Sequence, residues 1–401
     1  MNNKVHFVPL KDLADVINGY AFKSNEYVDD GLRIIRISDV QERKISDQNM
    51  VFYPIESKSE IGKTLLLEND IVMALTGNVG RVAMIEKKHM PCGLNQRVAC
   101  IRKTSDKIIN KFLYYFLDTT NFTADALNAG KGNGQKNLST KWLEEYLIPV
   151  PSLKEQEKIV NILDKFIELE AELEAELEAR TKQYEFWRDK IFAFNNRSDV
   201  KWLKLADIGT EFYRGNGIKR DEIVEEGISC VRYGEIYTTY DVWFDECISK
   251  TTNDVVTNPK TFEKEDLLFA ITGESVEDIS KCIAYVGTEK CYAGGDMVVM
   301  KHKQNGKYLS YALSTNDAKK QKMKGRVKSK VVHSSVPAIK EIVVPICSLE
   351  EQEKIVNIMD NFYNLTKSYT RGLPAEIEAR KKQYMYYRDK LFNFEELVNN
   401  E

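Results

Sequence analysis

The octapeptide EQEKIVNI stands at residues 155–162 and again at residues 351–358. Eight identical residues in a row do not recur by chance, so the 196-residue offset between the copies marks an internal repeat. The same offset relates DIVMALTG at residues 70–77 to DLLFAITG at residues 266–273. The chain is therefore predicted to contain two copies of one structural unit.

Each octapeptide begins a segment with the periodicity of a long α-helix. In the first segment apolar residues step by three and four positions, which is the spacing of a coiled-coil seam. A shift of one position midway predicts a stutter, a local unwinding of the supercoil. The predicted seam is Ile159, Ile162, Phe166, Leu169 and Leu173, and after the shift Leu177, Arg180, Tyr184, Trp187 and Ile191.

The second helical segment is longer than the first by four residues. EARTKQYEFWRDKIFAF at residues 178–194 matches EARKKQYMYYRDKLFNF at residues 378–394, so the offset has grown to 200. The extra residues surround Gly372 and Pro374. This pair favours a break, and we expect Pro374 to lie in the first turn of a new helix.

The long segment before each helix has a mixed pattern of strands and helices. We therefore expect an α+β protein, with two tandem-repeated mixed α/β domains separated by two long antiparallel coiled-coil helices. The helices must be antiparallel if they pack together, because the second begins near the point where the first ends. The expected domains are residues 1–150 and 195–344, and the expected helices are residues 151–194 and 345–401. The predicted strands are residues 34–40, 70–77, 82–87, 97–103, 230–237, 266–273, 282–287 and 297–301, and the predicted helices of the first domain are residues 111–118 and 143–147.

The composition is typical of a water-soluble protein with packed cores. Of 401 residues, 43% are apolar and 30% are charged, and no run of about eighteen apolar residues could span a membrane. The N-terminus lacks the apolar stretch of a secretory signal. The seven cysteines form no C-x-x-C pair, so we expect reduced thiols, no metal site and a cytoplasmic location.

The net charge of −3 is unevenly distributed along the chain. Residues 1–150 have a net charge of +2 and residues 195–344 of +1, whereas the two helical segments have −4 and −2. The overall charge therefore neither requires nor forbids a nucleic-acid partner, and any such binding must come from local basic patches.

Catalytic motifs are absent from the sequence. There is no G-x-x-x-x-G-K-[ST] phosphate loop, no H-E-x-x-H zinc motif and no Asn-Pro-Pro-aromatic motif for methyl transfer to an amino group. A nuclease site built on paired carboxylates remains open, because acidic residues are abundant. We expect a chain without catalytic residues, metal or cofactor of its own.

Three loops in each domain carry residues suited to contacts with DNA phosphates and base edges. Loop A is residues 19–25 in the first copy and 214–220 in the second, and loop B is residues 76–81 and 272–275. Loop C is residues 131–137 and 319–330, and the second contains seven basic residues in twelve, a strong source of counterion release. Ordinary solvated turns are the alternative interpretation of all three loops.

Individual candidates follow from these loops and from positions beside them. Arg81 could bind guanine or phosphate, Glu274 could accept from cytosine, and Arg36 and Arg232 fit a structural ion pair as well as a base contact. The DNA-contact candidates of the first domain are Lys23, Ser24, Asn25, Arg36, Thr76, Asn78, Arg81, Gln96, Arg97, Lys131, Asn133, Gln135 and Lys136. Those of the second are Arg214, Asn216, Lys219, Arg220, Arg232, Tyr233, Glu235, Tyr237, Thr272, Glu274, Ser275, Lys324, Arg326, Lys328, Lys330 and His333.

Polar residues repeated in both helical segments are candidates for docking partner subunits. The seam aromatics among them also fit a packed core. The docking candidates are Glu155, Gln156, Arg180, Gln183, Tyr184 and Arg188, with their counterparts Glu351, Gln352, Arg380, Gln383, Tyr384 and Arg388.

Several of these motifs resemble the specificity subunits of type I restriction-modification enzymes. They are the two E-Q-x-x-I-V runs, the two R-x-x-Q-Y-x-x-x-R-D-K helix ends, the FKSNEY and IIRISDV segments, and the RGNGIK, VRYGEIYTTY and YAGGD segments. The match covers residues 5–395, and its tandem arrangement makes it specific.

The resemblance implies that each domain is a target-recognition domain, which reads one half of a split, asymmetric double-stranded DNA site. It implies that the helices set the gap and bind two methyltransferase subunits, which carry S-adenosylmethionine. Restriction subunits, which use ATP and Mg²⁺ to translocate and cut DNA, would join them. The four extra residues near Gly372 depart from strict symmetry and leave the gap length open by a base pair or two.

Three alternatives remain at this stage. A coiled-coil scaffold would bind no DNA even with its partners present, and the basic run at residues 319–330 argues against it. A combined nuclease or methyltransferase would need motifs that the sequence lacks. A specificity subunit of a modification-only system would have the same sequence features.

Overall fold

The computed structural model describes residues 4–130, 136–195, 197–253, 258–323, 326–328, 331–368 and 370–397. The chain forms two compact units. Unit 1 consists of Met1–Leu173 and Ile377–Glu401, and unit 2 of Glu174–Glu376. The divisions fall within the two helical segments, so each unit contains parts of both.

Unit 1 is built on a four-stranded antiparallel sheet of order β2-β10-β7-β8. A second sheet has the order β11-β1-β27, a third β6-β3-β9, and β4 pairs with β5. The elements are β1 (Lys4–Pro9), β2 (Ala14–Asn18), β3 (Leu32–Ile35), β4 (Val40–Gln41), β5 (Lys44–Ile45), β6 (Phe52–Tyr53), α1 (Lys58–Ile61), β7 (Ile71–Ala74), β8 (Val82–Met84), β9 (Cys92–Leu94), β10 (Val98–Lys103), α2 (Asn110–Leu117), α3 (Thr120–Ala129), α4 (Thr140–Glu145), β11 (Leu147–Val150) and α5 (Leu153–Phe192), whose second part belongs to unit 2.

Unit 2 repeats this architecture. Its two larger sheets have the orders β13-β23-β19-β21-β16 and β14-β17-β15-β22-β18, and its smaller ones β12-β26 and β20-β25-β24. The elements are β12 (Lys201–Lys204), α6 (Leu205–Ile208), β13 (Gly209–Arg214), β14 (Ile223–Val224), β15 (Ile228–Val231), α7 (Tyr233–Thr238), β16 (Trp243–Phe244), β17 (Ser249–Thr251), β18 (Thr261–Phe262), β19 (Leu267–Ala270), β20 (Thr272–Gly273), β21 (Cys282–Tyr285), β22 (Cys291–Ala293), β23 (Met297–His302), α8 (Gly306–Ser314), α9 (Asn316–Lys322), β24 (Arg326–Lys328), β25 (Val331–His333), α10 (Val336–Lys340), β26 (Val343–Ile346), α11 (Leu349–Thr366) and the start of α12 (Leu373–Leu391). From Ile377 onward, α12 and the following β27 (Glu395–Glu396) belong to unit 1.

The sequence repeat is also a structural repeat. In unit 1, β7 lies between β8 and β10, and in unit 2, β19 lies between β21 and β23, in both cases in antiparallel pairs. The fold prediction of two mixed α/β domains with long helices is confirmed. The helix packed beneath each sheet, α2 or α8, is almost completely buried.

Helix α5 packs on the core of unit 1 through Ile159, Val160 and Leu163. The predicted seam is wrong in part, because Ile162 and Leu169 are 38% and 46% exposed. The buried face is Gln156, Ile159, Val160, Leu163 and Glu170. Two of its members are polar and are bonded inside the unit, so a pattern of apolar residues could not locate it.

In unit 1, helix α12 runs antiparallel to helix α5. The rings of Phe166 and Tyr387 stack with centroids 5.6 Å apart, and Glu170 pairs with Lys381 at 3.6 Å. The residue numbers of the partners on α12 therefore decrease as those on α5 increase. The antiparallel arrangement that the sequence predicts is confirmed within this unit.

The predicted break in the second helical segment is confirmed. Helix α11 ends at Thr366 and α12 begins at Leu373, which places Pro374 in the first turn. Gly372 has a φ of +82°, which favours glycine. In addition, a Cβ atom at Gly372 would collide with the carbonyl oxygen of Asn364.

The strand predicted at residues 230–237 is only half correct. Strand β15 ends at Val231, and Tyr233–Thr238 form helix α7. The backbone N–H of Arg232 donates to the Glu235 carboxylate at 3.0 Å, a contact that starts a helix. The helix predicted at residues 143–147 likewise ends at Glu145, and Leu147 begins a strand.

No helix in the described part of the chain is long and apolar enough to cross a membrane. All seven cysteines are free thiols, and only Cys247 is not fully buried.

Candidate nucleic-acid interface

Backbone hydrogen bonds bring the three loops of unit 1 together at one end of its sheet. In loop A, the Tyr20 carbonyl accepts from the N–H of Gln96 at 3.0 Å. The Arg97 carbonyl accepts from Leu75 at 3.1 Å, next to loop B. Asn137 at the end of loop C forms a β-bridge with Thr76. The turn that contains Gln96 and Arg97 is therefore the centre of the cluster.

Unit 2 assembles its loops with the same connections. Asn216 of loop A bridges to Gly294, and the N–H of Ile271, next to loop B, donates to Asp296 at 2.9 Å. Thr272 of loop B pairs with His333, which follows loop C, and their side chains are 3.3 Å apart. The turn at residues 294–296 takes the place of the turn with Gln96 and Arg97. Sequence-distant candidates thus lie side by side in each copy.

The polar candidates of unit 1 are mostly exposed at this cluster. Lys23 is paired with Glu26 at 3.1 Å, and the Lys136 ammonium donates to the Leu127 carbonyl at 2.7 Å. The exposed candidates are Lys23, Ser24, Asn25, Asn78, Gln96, Arg97 and Lys136.

The corresponding face of unit 2 also presents three exposed Lys and Arg side chains among its candidates. The exposed candidates are Arg214, Lys219, Arg220, Tyr233, Glu274 and His333, and the half-buried ones are Asn216, Arg232, Tyr237, Thr272 and Ser275. Asn216 is held in place, since its Oδ1 accepts from the N–H of Lys260 at 2.9 Å.

Arg36 and Arg232 form ion pairs at equivalent positions of the two units. Arg36 lies 3.2 Å from Asp39, and Arg232 lies 2.8 Å from Glu235. Their side chains are 25% and 30% exposed, so part of each guanidinium still reaches the surface. Both arginines therefore form the ion pair that the sequence allowed, and a base contact by either of them stays a prediction.

The structure corrects the DNA-contact prediction for two residues. Glu235 is 4% exposed and accepts from the Ser249 hydroxyl at 2.6 Å, so it orients Arg232 and cannot reach a base. Thr76 is 8% exposed, and its side chain points inward. In addition, Arg81 is half-buried and donates to Gln41 at 3.1 Å.

Some candidates fall on parts of the chain that the structure does not describe. Lys131, Asn133, Gln135, Lys324 and Lys330 lie outside the described residues. The backbone of Arg326 and Lys328 lies in β24, which pairs with β25. The basic run predicted as a loop is helical at its start, since Lys319, Lys320 and Lys322 belong to α9.

Lys260 lies on the loop face of unit 2, but it is not among the DNA-contact candidates predicted from the sequence. It is exposed, and its ammonium lies 5.7 Å from the centre of the Tyr213 ring. Its position results from the pairing of β18 with β22, in which the Ala293 N–H donates to the Lys260 carbonyl at 2.8 Å. A contact this distant in sequence leaves no local signal.

The docking candidates divide into buried and exposed sets. Gln156 and Gln352 are 0% exposed and bond only to backbone and side chains of their own unit. The docking prediction is therefore wrong for both glutamines.

Four more docking candidates are buried against the core of a unit. Arg388 and Tyr384 bind Asp118 at 2.8 and 3.2 Å, and burial raises the pKa of Asp118 while Arg388 opposes that rise. Tyr184 and Arg188 are 4% and 5% exposed. None of these four side chains can be a contact for a separate subunit, so the core interpretation holds for Tyr184 and Tyr384 but not for Trp187, which is 37% exposed.

The remaining docking candidates are at least partly exposed and form local bonds. Arg180 donates to Gln183 at 2.9 Å, and Arg380 to Gln383 at 3.2 Å. Glu155 accepts from Ser152 in a helix cap, and Glu351 pairs with Arg197 at 2.9 Å.

Exposed aromatic side chains lie on the same helices as these docking candidates, and the sequence-based prediction did not include them as docking residues. Phe186 and Trp187 are 60% and 37% exposed, and their counterparts Tyr386 and Tyr387 are 61% and 44% exposed. Lys190 and Lys390 lie over these rings at 4.8 Å from Trp187 and 5.7 Å from Tyr386. The signal was present in the sequence as an aromatic pair repeated in both helices.

No group of three or more His, Cys, Asp or Glu side chains in the described ranges is placed to hold a metal ion.

Comparisons with known proteins agree on one family. The model of the type I restriction modification DNA specificity domain matches residues 2–179 and again residues 198–379. The specificity subunit of the EcoR124I/EcoR124II type I restriction enzyme of Escherichia coli is 28% identical over 312 residues, which cover 72% of this chain and 72% of that protein. A putative type I restriction enzyme specificity subunit of Haemophilus influenzae is 29% identical over 300 residues, which cover 72% and 73%.

A solved structure agrees with the fold. It concerns complex assembly and conformational transition of the type I R-M system, and it matches with a TM-score of 0.63 over 97% of each chain. The sequence identity is 14%, so this likeness bears on the fold alone.

Proposed function

Because the chain belongs to the family of type I restriction-modification DNA specificity subunits, we propose that each unit reads one half of a bipartite DNA site. The observation that supports this most is the duplicated loop cluster. Loops A, B and C are joined by equivalent hydrogen bonds in both units, yet they present different side chains. A coiled-coil scaffold would not require the same loop arrangement in both units with different polar side chains on it.

The two half-sites differ in sequence under this proposal. Loop B presents Asn78 in unit 1, a side chain that can pair with adenine, and Glu274 in unit 2, which can accept from cytosine. Loop A presents Lys23 in unit 1 and two arginines, Arg214 and Arg220, in unit 2. The target is therefore asymmetric, with the arginines and lysines also binding phosphates.

The long helices set the gap between the half-sites. Helix α5 has 40 residues, which at 1.5 Å rise corresponds to about 60 Å. One turn of DNA is about 34 Å long, so an unread gap between the half-sites is required.

Chemistry is supplied by partner subunits in this proposal. Two methyltransferase subunits that carry S-adenosylmethionine bind the chain, and restriction subunits that use ATP and Mg²⁺ join them. The exposed aromatic pairs support this stoichiometry, since Phe186–Trp187 and Tyr386–Tyr387 present the same kind of surface twice. Aromatic residues are enriched at protein interfaces.

The experiment is methylation-aware sequencing of DNA from cells that express this chain with its methyltransferase subunit. We expect methyladenine in two short defined sequences around a fixed gap. Glu274→Gln should alter the bases of one half only, and Asn78→Asp those of the other. Lys182→Gln, on the exposed face of α5, is the control and should leave the motif unchanged.

Two results would contradict the proposal. A stable complex that methylates no DNA would favour the scaffold alternative. Changes in both halves from the Glu274 substitution alone would show that unit 2 does not read a half-site by itself.

A further inference from the structure

Unit 2 contains a cavity of about 330 Å³ between the end of α5, helices α8 and α9, and strand β21. Its walls carry five basic side chains from separate stretches of the sequence that come together only in the folded unit. They are Arg188, Lys281, Lys319, Lys322 and Lys367.

The equivalent place in unit 1 holds carboxylates. Arg388 of α12 pairs with Asp118 at 2.8 Å, and Arg43 pairs with Glu170 at 3.1 Å. At the repeat offset of 196, Asp118 corresponds to Ser314, and Glu170 corresponds to Thr366. Unit 2 has therefore lost both acidic partners.

The helix that carries the arginine docks in the same way in both units. Asp389 accepts from the Thr120 N–H at 3.1 Å in unit 1, and Asp189 accepts from the Asn316 N–H at 3.2 Å in unit 2. Arg188 thus occupies the position of Arg388 but lacks its carboxylate across the contact. Its ion pair is with the adjacent Asp189, at 3.0 Å.

Two lysines in the cavity walls donate hydrogen bonds to backbone carbonyls and not to carboxylates. Lys281 donates to the Tyr240 carbonyl and Lys322 to the Leu313 carbonyl, both at 2.8 Å. Within the described ranges none of the four lysines forms an ion pair, although Glu185, Asp241, Glu277 and Asp278 also line the cavity. With Arg188, the wall carries one more positive than negative charge.

A buried hydroxyl adds to this unsatisfied set. Tyr237 lines the cavity, and its hydroxyl has no hydrogen-bond partner among the described residues. Burial lowers the pKa of Lys281 and lowers the pKa of Lys322 to about 8. Buried lysines without an ion pair and a buried hydroxyl without a hydrogen-bond partner are costly, and an anion would relieve that cost.

We propose that this cavity binds a free oxyanion of the phosphate class, which takes the place in unit 2 of the Asp118 carboxylate of unit 1. The planar guanidinium of Arg188 suits two oxygens of such an anion, and the lysines and Tyr237 surround the rest. The volume holds one tetrahedral oxyanion with accompanying water. The proposal does not depend on DNA reading by the chain.

The test uses the full chain and inorganic phosphate at constant ionic strength. At ten times its Kd, phosphate should raise the Tm of the transition of unit 2 by about 3–6 °C. Ser314→Asp restores the carboxylate found in unit 1. This variant should have a higher Tm without phosphate and should lose the phosphate response.

A second pair of variants, with smaller structural changes, tests the proposal if Ser314→Asp does not fold. Lys319→Gln should weaken the calorimetric Kd for phosphate by about threefold to tenfold, the size expected for one hydrogen bond from an exposed side chain. Lys320→Gln is its matched control, because Lys320 is exposed on the same helix and does not line the cavity.

Three results would overturn the proposal. The first is no phosphate response in the unchanged protein, and the second is an equal response from chloride at the same ionic strength. The third is displacement of bound phosphate by a short DNA duplex, which would make a DNA phosphate the ligand in place of a free anion.

Discussion

Two buried glutamines act as clasps between each domain and its helix. Gln156 accepts from the Ile109 N–H at 2.7 Å and donates to the Lys107 and Pro151 carbonyls, both at 2.9 Å. Gln352 forms the same pattern in unit 2, accepting from Asn305 at 3.0 Å. A side-chain amide is needed here because it can both donate and accept.

Replacing Gln156 by Met should destabilise the protein by about 2–4 kcal/mol, since one buried and two partly buried backbone groups lose their partner. Urea denaturation followed by circular dichroism measures this loss. The control is Glu157→Gln, an exposed neighbour, which should change the free energy of unfolding by no more than about 0.5 kcal/mol. Equal stability of the two variants would contradict the clasp role.

Lys322 predicts a pH-dependent stability difference. Burial, with smaller contributions from Lys319 and Lys281 and against an opposing effect of Cys282, lowers its pKa from the ordinary 10.5 to about 8 in the folded protein. Between these two values the unfolded chain binds more protons at Lys322 than the folded chain. The stability contributed by this group therefore rises as pH rises from 8 to 10.5.

Lys322→Met should be more stable than the unchanged protein at pH 7, and this advantage should shrink by about 1–3 kcal/mol at pH 10. Urea denaturation of both proteins in phosphate-free buffer measures the difference, and the shared tyrosines and cysteines cancel in it. A constant difference from pH 7 to pH 10 would contradict the lowered pKa.

At this scale the sequence identifies residue types better than their burial. The sequence allows an ion pair or a base contact for Arg36 and Arg232, and both form the ion pair because Asp39 and Glu235 lie three residues further on at buried positions. Glu235 and Thr76 were expected to reach DNA and are buried instead. Burial depends on which strands pair, and a loop motif does not contain that information.

Among the elements, the helices illustrate what periodicity can and cannot predict. The existence and length of α5 follow from its heptad spacing, but its buried face was displaced because Gln156 and Glu170 are polar members of that face. The break before α12 was predicted correctly, since Gly372 and Pro374 act through backbone geometry alone. Backbone rules are local, whereas the identity of a buried face depends on its partners.

Gly372→Ala should destabilise the protein by about 1–3 kcal/mol. The φ of +82° is unfavourable for alanine, and its Cβ would collide with the Asn364 carbonyl oxygen. Arg371→Ala, at the exposed preceding residue, is the control. Urea denaturation that finds both variants equally stable would show that the turn can rearrange.

For the whole molecule, the duplicated architecture and the family could be predicted because two copies of one unit reinforce each other in the sequence. The cavity of unit 2 could not be predicted. It depends on differences between the copies, such as Ser314 for Asp118, and on helix α5 reaching the core of unit 2. The sequence repeat reveals the architecture that the two units share, whereas the cavity of unit 2 arises from residues that differ between them.

The proposed spacer role of the helices makes a prediction about the DNA target. Insertion of one helical turn in the exposed part of α5 should change the gap and leave both half-sites unaltered. Methylation-aware sequencing measures gap and half-sites together. Altered half-site sequences, with or without a new gap, would contradict a spacer role.

The composition of unit 1 from two distant stretches has a consequence for biosynthesis. Unit 2 is continuous from Glu174 to Glu376, so all of its residues have left the ribosome before those of α12 that complete unit 1. Until then Asp118 lacks Arg388, and β1 lacks its partner β27. Nascent unit 1 therefore stays incomplete while unit 2 folds, and a chain that has emerged only as far as residue 376 has all of unit 2 but lacks the last part of unit 1.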